Sequence, residues 1–364
     1  MNQVPPTFEQ ILSKLLSELG KFEVEFSDLK SDLGCDYRIS DPSGKTFLLQ
    51  VKTYQRLTPA VAEGAFPRME NHCDRVGAEP VLYASVVSDR TAEIAKAHGV
   101  SWIDFAGNCH LVFPEHGIYV HRSGIRNPFG KTMTSKLNVF SPKSSRVVRV
   151  MLQEPSRGWQ LNELAKHHDV RISGGLMSRI KKSLVEDGYA LMHEGHLHLK
   201  SPKALLRDWV DHYRTDKPNE FAFYMRGDEE QIENQVAAWC SESNLEYALS
   251  RFSAAWRLAP EVRYSVASFL VSAEAVRETS LQKFRDQCGA RRVESGANLV
   301  LHLPEDDSHL SGFVAEPLST TSPLQTYLDL MSMGGRGEEA ADAVYQKFLH
   351  EPLSEATQVA GGLS

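Results

Sequence analysis

The chain has 364 residues, of which 41% are hydrophobic and 24% are charged, and its formal net charge is −7. These values are ordinary for globular proteins and exclude a wholly disordered chain, a collagen-like repeat and a disulfide-dense scaffold. The five cysteines are scattered without a CxxC pair, and no apolar run approaches the length of a membrane span. We therefore expect a cytoplasmic protein with no membrane partner, and the length predicts two or three domains.

The negative net charge conceals a basic segment in the middle of the chain. Residues 116–203 contain 15 lysines or arginines against six aspartates or glutamates, so the acidic excess lies in the flanks. A segment of one sign on an acidic protein is typical of a surface that binds phosphate groups. The alternative is a solvated linker whose charge only aids solubility.

The first 115 residues alternate helix and strand patterns, which predicts an α/β sheet with helices on both faces. Helices are expected at 8–19, 60–76 and 90–98, and strands at 22–26, 37–40, 47–51, 81–87 and 100–103. The following stretch is rich in Gly, Ser, Asn, Pro, Thr and Lys, which indicates a basic linker at 121–143.

A carboxylate and a lysine signature lie on neighbouring predicted strands of this first domain. Asp36 begins one strand, and Gln50-Val51-Lys52 ends the next. An acidic residue followed by Glu/Gln-x-Lys resembles the active site of the restriction-endonuclease-like fold, which is expected over residues 1–120. The resemblance implies that Asp36 and Gln50 hold Mg²⁺, with Glu9 as a further ligand, and that Lys52 stabilises the attacking water or the developing charge.

That resemblance leaves three interpretations of the first domain open. It could be an active Mg²⁺-dependent DNA endonuclease, or a degenerate nuclease fold kept for DNA contact or dimerisation. Alternatively, Lys52 simply ends a strand, with its charge in solvent. No other cofactor is predicted.

Residues 144–203 predict three short helices, a tight turn and a two-stranded hairpin, which is the pattern of a winged helix-turn-helix. Ser144 or Ser145 is expected to cap the first helix, Asn162 the second and Ser173 the third. On the third helix, a buried stripe is expected at Leu176, Ile180 and Leu184.

The third helix of this segment carries the polar residues expected to meet DNA, because the second helix of a helix-turn-helix enters the major groove. Candidates for this contact are Arg171, Ser173, Ser178, Arg179, Lys181 and Lys182. Contacts to phosphate are expected from Arg146, Arg149, His196 and Lys200. The alternative is a module for protein–protein contact, and the spacing of the histidines predicts no closed metal site.

Residues 204–350 predict a second α/β domain, and residues 351–364 a flexible tail. Strands are expected at 221–225, 264–271 and 298–303, and helices at 229–241, 281–288, 324–333 and 338–349. Leu324, Leu328 and Met331 are expected to form an inner stripe, and Arg336 to pair with Asp329 rather than with a phosphate.

Two strings in this last domain resemble a known signature. Residues 322–330 (SPLQTYLDL) and 335–341 (GRGEEAA) resemble the C-terminal signature of the AbiEi-type antitoxins and transcriptional regulators of type IV toxin–antitoxin systems. Residues 247–250 (YALS) and 102–108 (WIDFAGN) resemble other stretches of that family. The expected fold is therefore a multidomain α/β protein with a nuclease-like domain, a central winged helix-turn-helix and a C-terminal α/β domain.

The resemblance implies a cytoplasmic, nucleoid-associated, dimeric autorepressor that binds double-stranded DNA and counters a nucleotidyltransferase-like toxin. The predicted winged helix is central, whereas that family places it at the N-terminus. Two alternatives remain: a nuclease of a phage-defence system, and an adaptor whose acidic C-terminal domain binds a partner protein.

Overall fold

The computed structural model describes residues 5–26, 36–54, 57–125, 137–213, 220–304, 306–310, 313–315 and 318–363. The chain divides into two compact units, residues 1–136 with 185–188, and residues 137–184 with 189–364. Residues 144–350, predicted as two domains, fall almost entirely in the second unit. None of the helices in the described ranges is both long and apolar enough to span a bilayer.

The first unit contains, in its described residues, a seven-stranded mixed sheet whose strand order follows the sequence. Its strands are β1 (Glu23–Phe26), β2 (Tyr37–Ser40), β3 (Thr46–Tyr54), β4 (Ala78–Ala84), β5 (Ser101–Asp104), β6 (Cys109–Phe113) and β7 (Ile118–Arg122). The three middle strands β3, β4 and β5 run parallel, and the strands on either side pair antiparallel. Its helices are α1 (Phe8–Ser17), α2 (Pro59–Val76) and α3 (Asp89–Ala97).

Strand β4 shows why helices cover both faces of this sheet. Val81 and Tyr83 pack in the core that contains α1, whereas Leu82 and Ala84 pack in the core that contains α2 and α3. Successive side chains of a strand point to opposite faces, so a continuous apolar run fills both cores. The predicted mixed α/β class is confirmed.

Strand β7 corrects the predicted start of the linker. Ile118 is buried and Tyr119 is exposed, and β7 pairs antiparallel with β6 as an edge strand. An edge strand is paired on one side only and tolerates polar residues, which obscure the alternation of apolar and polar positions. The sequence of this stretch therefore resembles a linker. Residues 126–136 of the predicted linker lie outside the described residues, and its last two residues, 142 and 143, form the start of the helix Pro142–Gln153.

The second unit begins with most of what we call the central segment, residues 137–200, of which 185–188 group with the first unit. It contains α4 (Pro142–Gln153), α5 (Leu161–Lys166), α6 (Gly174–Glu186), β8 (Ala190–His193) and β9 (His196–Leu199). Glu194 and Gly195 join β8 to β9 with φ values of 47° and 81°, as a tight hairpin requires. Trp159 adds to the hairpin by exchanging two backbone hydrogen bonds with Leu197, of 3.0 and 2.9 Å.

Two of the three predicted helix caps in this segment are wrong. Helix α4 begins after Ser141, because Pro142 is favoured at the first helical position, and Ser144 and Ser145 lie inside the helix. Helix α5 begins after Gln160, which places Asn162 within it. The Ser173 cap is confirmed, since its Oγ accepts the backbone N–H of Leu176 at 3.3 Å.

The rest of the second unit, which we call the C-terminal domain, is built on a sheet with the order β13-β10-β14-β12-β11-β16-β15. Its strands are β10 (Glu220–Tyr224), β11 (Tyr247–Leu249), β12 (Ala267–Val271), β13 (Arg291–Arg292), β14 (Leu299–His302), β15 (Phe313–Ala315) and β16 (Leu318–Thr320). Its helices are α7 (Pro202–His212), α8 (Glu229–Glu242), α9 (Arg251–Leu258), α10 (Glu278–Cys288), α11 (Pro323–Met333), α12 (Arg336–Val344) and α13 (His350–Gly362).

Helix α13 occupies most of the stretch for which the sequence predicts a flexible tail, so that prediction is wrong for residues 351–362. Leu353, Ala356 and Ala360 recur at helical spacing and are buried. The helix packs against α7 and β9. Two of its three buried residues are alanines, whose small apolar surface gives a weak sequence signal.

A buried histidine in this domain makes its stability depend on pH. His302 lies 2.6 Å from the Ser250 Oγ, and burial, with the nearby charge of Arg251, lowers the His302 pKa to about 3. The unfolded chain binds a proton at this position below its ordinary pKa of about 6.5, so stability is lost as the pH falls from there toward 3.

We expect His302 to account for about 2 kcal/mol of the unfolding free energy lost between pH 7 and pH 5. Urea unfolding of wild type and of His302→Gln at both pH values measures this contribution. A wild type and a variant that lose equal stability between these pH values would contradict the assignment.

Candidate nucleic-acid interface

Helix α6 separates an apolar face from a polar face. Met177, Ile180 and Leu184 are buried, so the inner stripe begins at Met177 rather than at the half-buried Leu176. Ser178, Arg179 and Lys182 are exposed. Residues three and four apart are neighbours on a helix surface, so these three side chains lie along one exposed face. Lys181, which was predicted beside them, is only half-buried and lies at the edge of that face.

The turn between α5 and α6 determines where α6 begins. The backbone N–H of Asp169 donates to His167 Nδ1 at 3.3 Å, and the Asp169 carboxylate lies 3.1 Å from His168 Nε2. Ligand-type atoms of these three residues lie within 4.8 Å of one another, a grouping that the sequence analysis did not predict. Arg171 follows with φ of +44° and is exposed, and Ser173 is exposed while it caps α6.

Two of the predicted phosphate contacts, His196 and Lys200, lie on or directly after the hairpin. His196 and Lys200 are half-buried, and His196 Nδ1 lies 3.0 Å from the carbonyl oxygen of Glu194. His198 lies directly against Gly158, where an added Cβ would come within 2.3 Å of its ring. A side chain at position 158 would therefore require the His198 ring to move.

The structure corrects the roles predicted for the two arginines of α4. Arg149 is 3% exposed and is therefore inaccessible to a DNA phosphate. Arg146 forms an ion pair with Asp306 of the C-terminal domain, with Nε and Nη2 at 2.7 and 2.6 Å from one carboxylate oxygen. Both arginines add to the basic charge of residues 116–203, but charge in a sequence does not indicate burial.

Polar side chains that the sequence did not predict are buried near Arg149. The Tyr213 hydroxyl donates to Asp329 Oδ1 at 2.7 Å, and Gln325 Nε2 lies 2.7 Å from both of these oxygens. Gln325 and Asp329 are four residues apart on α11, and both are 2% exposed. Such spacing of two polar residues within an apolar stripe is the signal that could have revealed this cluster.

Two residues of the nuclease-like signature are in contact in the first unit. Gln50 Nε2 donates to Asp36 Oδ2 at 2.9 Å, and the backbone N–H of Val51 donates to the same oxygen at 2.7 Å. Lys52 is exposed and lines a pocket of about 410 Å³. Glu9 is exposed on α1, and burial together with the charges of Glu9 and Asp36 raises the pKa of Tyr37, which lies near both.

The two C-terminal strings form a tight helical hairpin. Ser322 caps α11 by accepting the backbone N–H of Gln325 at 3.2 Å. Gly337, in the first turn of α12, lies so close to α11 that an added Cβ would be 2.4 Å from the carbonyl oxygen of Leu330. Arg336 donates to the backbone carbonyl of Arg263, so the predicted pairing of Arg336 with Asp329 is wrong.

Residues 102–108 contain the turn between β5 and β6, and the hydrogen bonds of this turn explain the residues found there. Asp104 Oδ1 accepts the backbone N–H groups of Ala106 and Asn108 at 2.9 Å each, and Gly107 adopts φ of 95°. The Asn108 amide donates to the other Asp104 oxygen at 2.8 Å. These residues serve the turn itself.

The second unit thus joins a helical segment that has an exposed cationic face to an α/β domain. Residues 198–350 match the sequence model of a family described as transcriptional regulator, AbiEi antitoxin, of type IV toxin–antitoxin systems. This part of the chain is similar to that family, as the two C-terminal strings predicted. A comparison with curated proteins found no match.

Proposed function

We propose that the protein is a transcriptional regulator and antitoxin of a type IV toxin–antitoxin system, and that its central segment is a winged helix that binds DNA. The observation that carries the proposal is the exposed polar face of α6, with Ser178, Arg179 and Lys182, after a turn that exposes Arg171. The family of residues 198–350 supports a regulatory role. In a winged helix this face of α6 enters the major groove.

We propose that the C-terminal domain binds the toxin of this system. We expect that toxin to be a nucleotidyltransferase-like protein. The acidic excess outside residues 116–203 supports this, because an acidic surface favours a basic protein partner and disfavours non-specific DNA contact. Autorepression then requires a homodimer bound to a palindromic site, in keeping with two-fold related half-sites.

Fluorescence anisotropy with DNA from upstream of the protein's own coding sequence tests the DNA-binding proposal. We expect binding that weakens steeply as salt rises from 50 to 200 mM and that exceeds binding to a scrambled fragment by about 1000-fold. Equal affinity for both fragments would contradict a specific regulator. Light scattering of the free and DNA-bound protein tests the expected dimer.

Nuclease activity is the alternative function, and the oxygen ligands that Asp36 and Gln50 offer would hold Mg²⁺ only weakly. Asp36 Oδ2 already accepts two hydrogen bonds, and Gln50 offers a neutral amide where a carboxylate would hold Mg²⁺ more tightly. We expect the purified protein to leave plasmid DNA intact with Mg²⁺ or Mn²⁺. Cleavage that is lost in Lys52→Ala and with a chelator would establish the nuclease instead.

A further inference from the structure

Helix α4 of the central segment inserts a buried arginine into the C-terminal domain. The Arg149 guanidinium carbon lies 5.2 Å from the ring centre of Trp209 on α7, and α4 also packs against α11. Tyr213, Gln325 and Asp329 form their hydrogen-bonded cluster beside it. We call these five residues the Arg149 junction.

Several polar atoms of the Arg149 junction lack a hydrogen-bond partner among the described residues. They are Arg149 Nη1 and Nη2, Gln325 Oε1 and Asp329 Oδ2, and each is fully buried. The two nitrogens are donors, and the two oxygens accept hydrogen bonds. The set is chemically complementary, with two unpartnered donors on α4 and two unpartnered acceptors on α11, a helix that packs against α4.

The charges in the junction favour that pairing. Burial lowers the pKa of Arg149, and the Tyr213 and Asp329 charges oppose that effect. Burial likewise raises the pKa of Asp329, and the hydrogen bond from Tyr213 opposes it. An uncompensated buried charge is costly, and the opposite charges of Arg149 and Asp329 lower that cost for each other, with Arg251 as a further cation near Asp329.

We propose that Arg149 is a positioning residue: its guanidinium binds Gln325 and Asp329 and thereby fixes the orientation in which the C-terminal domain presents α6 to DNA. The junction is built from one residue of the central segment and from polar residues of the 322–330 string. This gives that string a role in DNA binding although it lies outside the central segment. The DNA part of this inference rests on the proposed function.

A double-mutant cycle in the full-length protein tests the pairing without DNA. We expect Arg149→Met to lower the midpoint of thermal unfolding by about 10 °C, because it leaves Asp329 buried without its partner charge. Asp329→Asn should also lower it, and the double variant should lose less than the two single losses combined. The exposed Arg277→Met is the matched control and should leave the midpoint unchanged. Additive losses would overturn the pairing.

Operator affinity distinguishes a positioning role from a merely structural one. At a temperature where every variant is folded, we expect Arg149→Met to bind the upstream DNA about tenfold more weakly and Arg149→Lys to recover most of the affinity. The double variant should regain stability but not affinity, because no directional contact replaces the guanidinium. If the DNA affinity of the variants falls and recovers in parallel with their thermal stability, the positioning role is overturned. A wild type that fails to bind the DNA would count against the proposed function, while the thermal cycle would still test the pairing.

Discussion

Replacing Arg179 and Lys182 together by alanine is expected to weaken operator binding by about 100-fold or more. Both side chains lie on the exposed face of α6, and each base or phosphate contact of this kind contributes about 1–3 kcal/mol. The buried residues of α6 are unchanged, so the fold should be preserved. Anisotropy titrations at fixed salt measure the loss, and thermal unfolding verifies that the variant is folded.

The matched control removes the same charge from elsewhere in the same unit. Arg277 and Lys283 are exposed on or next to α10, and their double alanine variant should keep operator affinity within about twofold. Because side chains that contact bases give sequence preference, the α6 variant should also lose its discrimination against scrambled DNA. An α6 variant that retains wild-type affinity would remove this helix from the interface.

Gly337→Ala is expected to destabilise the C-terminal domain by about 3 kcal/mol. The added Cβ would lie 2.4 Å from the Leu330 carbonyl oxygen and 3.1 Å from the Met333 Cβ, and both belong to the packed helix α11. Neither a backbone carbonyl nor a Cβ can rotate away, so α12 must move apart from α11 at the cost of overpacking in a dense core. Urea unfolding with the wild type as reference measures the change.

Gly361→Ala makes the same chemical change in a helix that has room for it. Gly361 is exposed on α13, and an added Cβ meets no described atom within 4 Å. Because alanine reduces the entropy of the unfolded chain, this variant should gain about 0.5–1 kcal/mol. If Gly337→Ala lowers the stability and Gly361→Ala raises it, the close approach of α12 to α11 explains the GRGEEAA string. Equal stability changes in the two variants would contradict that explanation.

Periodicity predicted most of the helices and strands, because each such element buries one regular face. The amphipathic spacing of α1 and the continuous apolar run of β4 both identify elements that reach the core. It did not predict β7 or α13, since an edge strand and an alanine-rich helix leave weak apolar patterns. The predicted caps of α4 and α5 differ by a few residues from the observed ones. In both helices several neighbouring polar residues compete for the position at which the helix starts.

The candidate interface was only partly predictable, because charge in a sequence carries no information on burial. Arg179 and Arg149 carry the same guanidinium group, yet Arg179 is exposed and Arg149 is only 3% exposed. Arg149 falls among Val147, Val148 and Met151, so its position next to the apolar face of α4 was visible. What the sequence could not indicate was the cluster of Tyr213, Gln325 and Asp329, which comes from elements far apart in the chain.

Photo-crosslinking from the exposed face of α6 tests the central claim most directly. A photoreactive phenylalanine analogue at Ser178 is compared with the same residue at Glu230, which is exposed on α8 of the C-terminal domain. With labelled upstream DNA, we expect position 178 to crosslink to bases within the protected site and position 230 to give no crosslink. If the protein protects the DNA but crosslinks to it from neither position, or only from position 230, this result would contradict DNA recognition by α6.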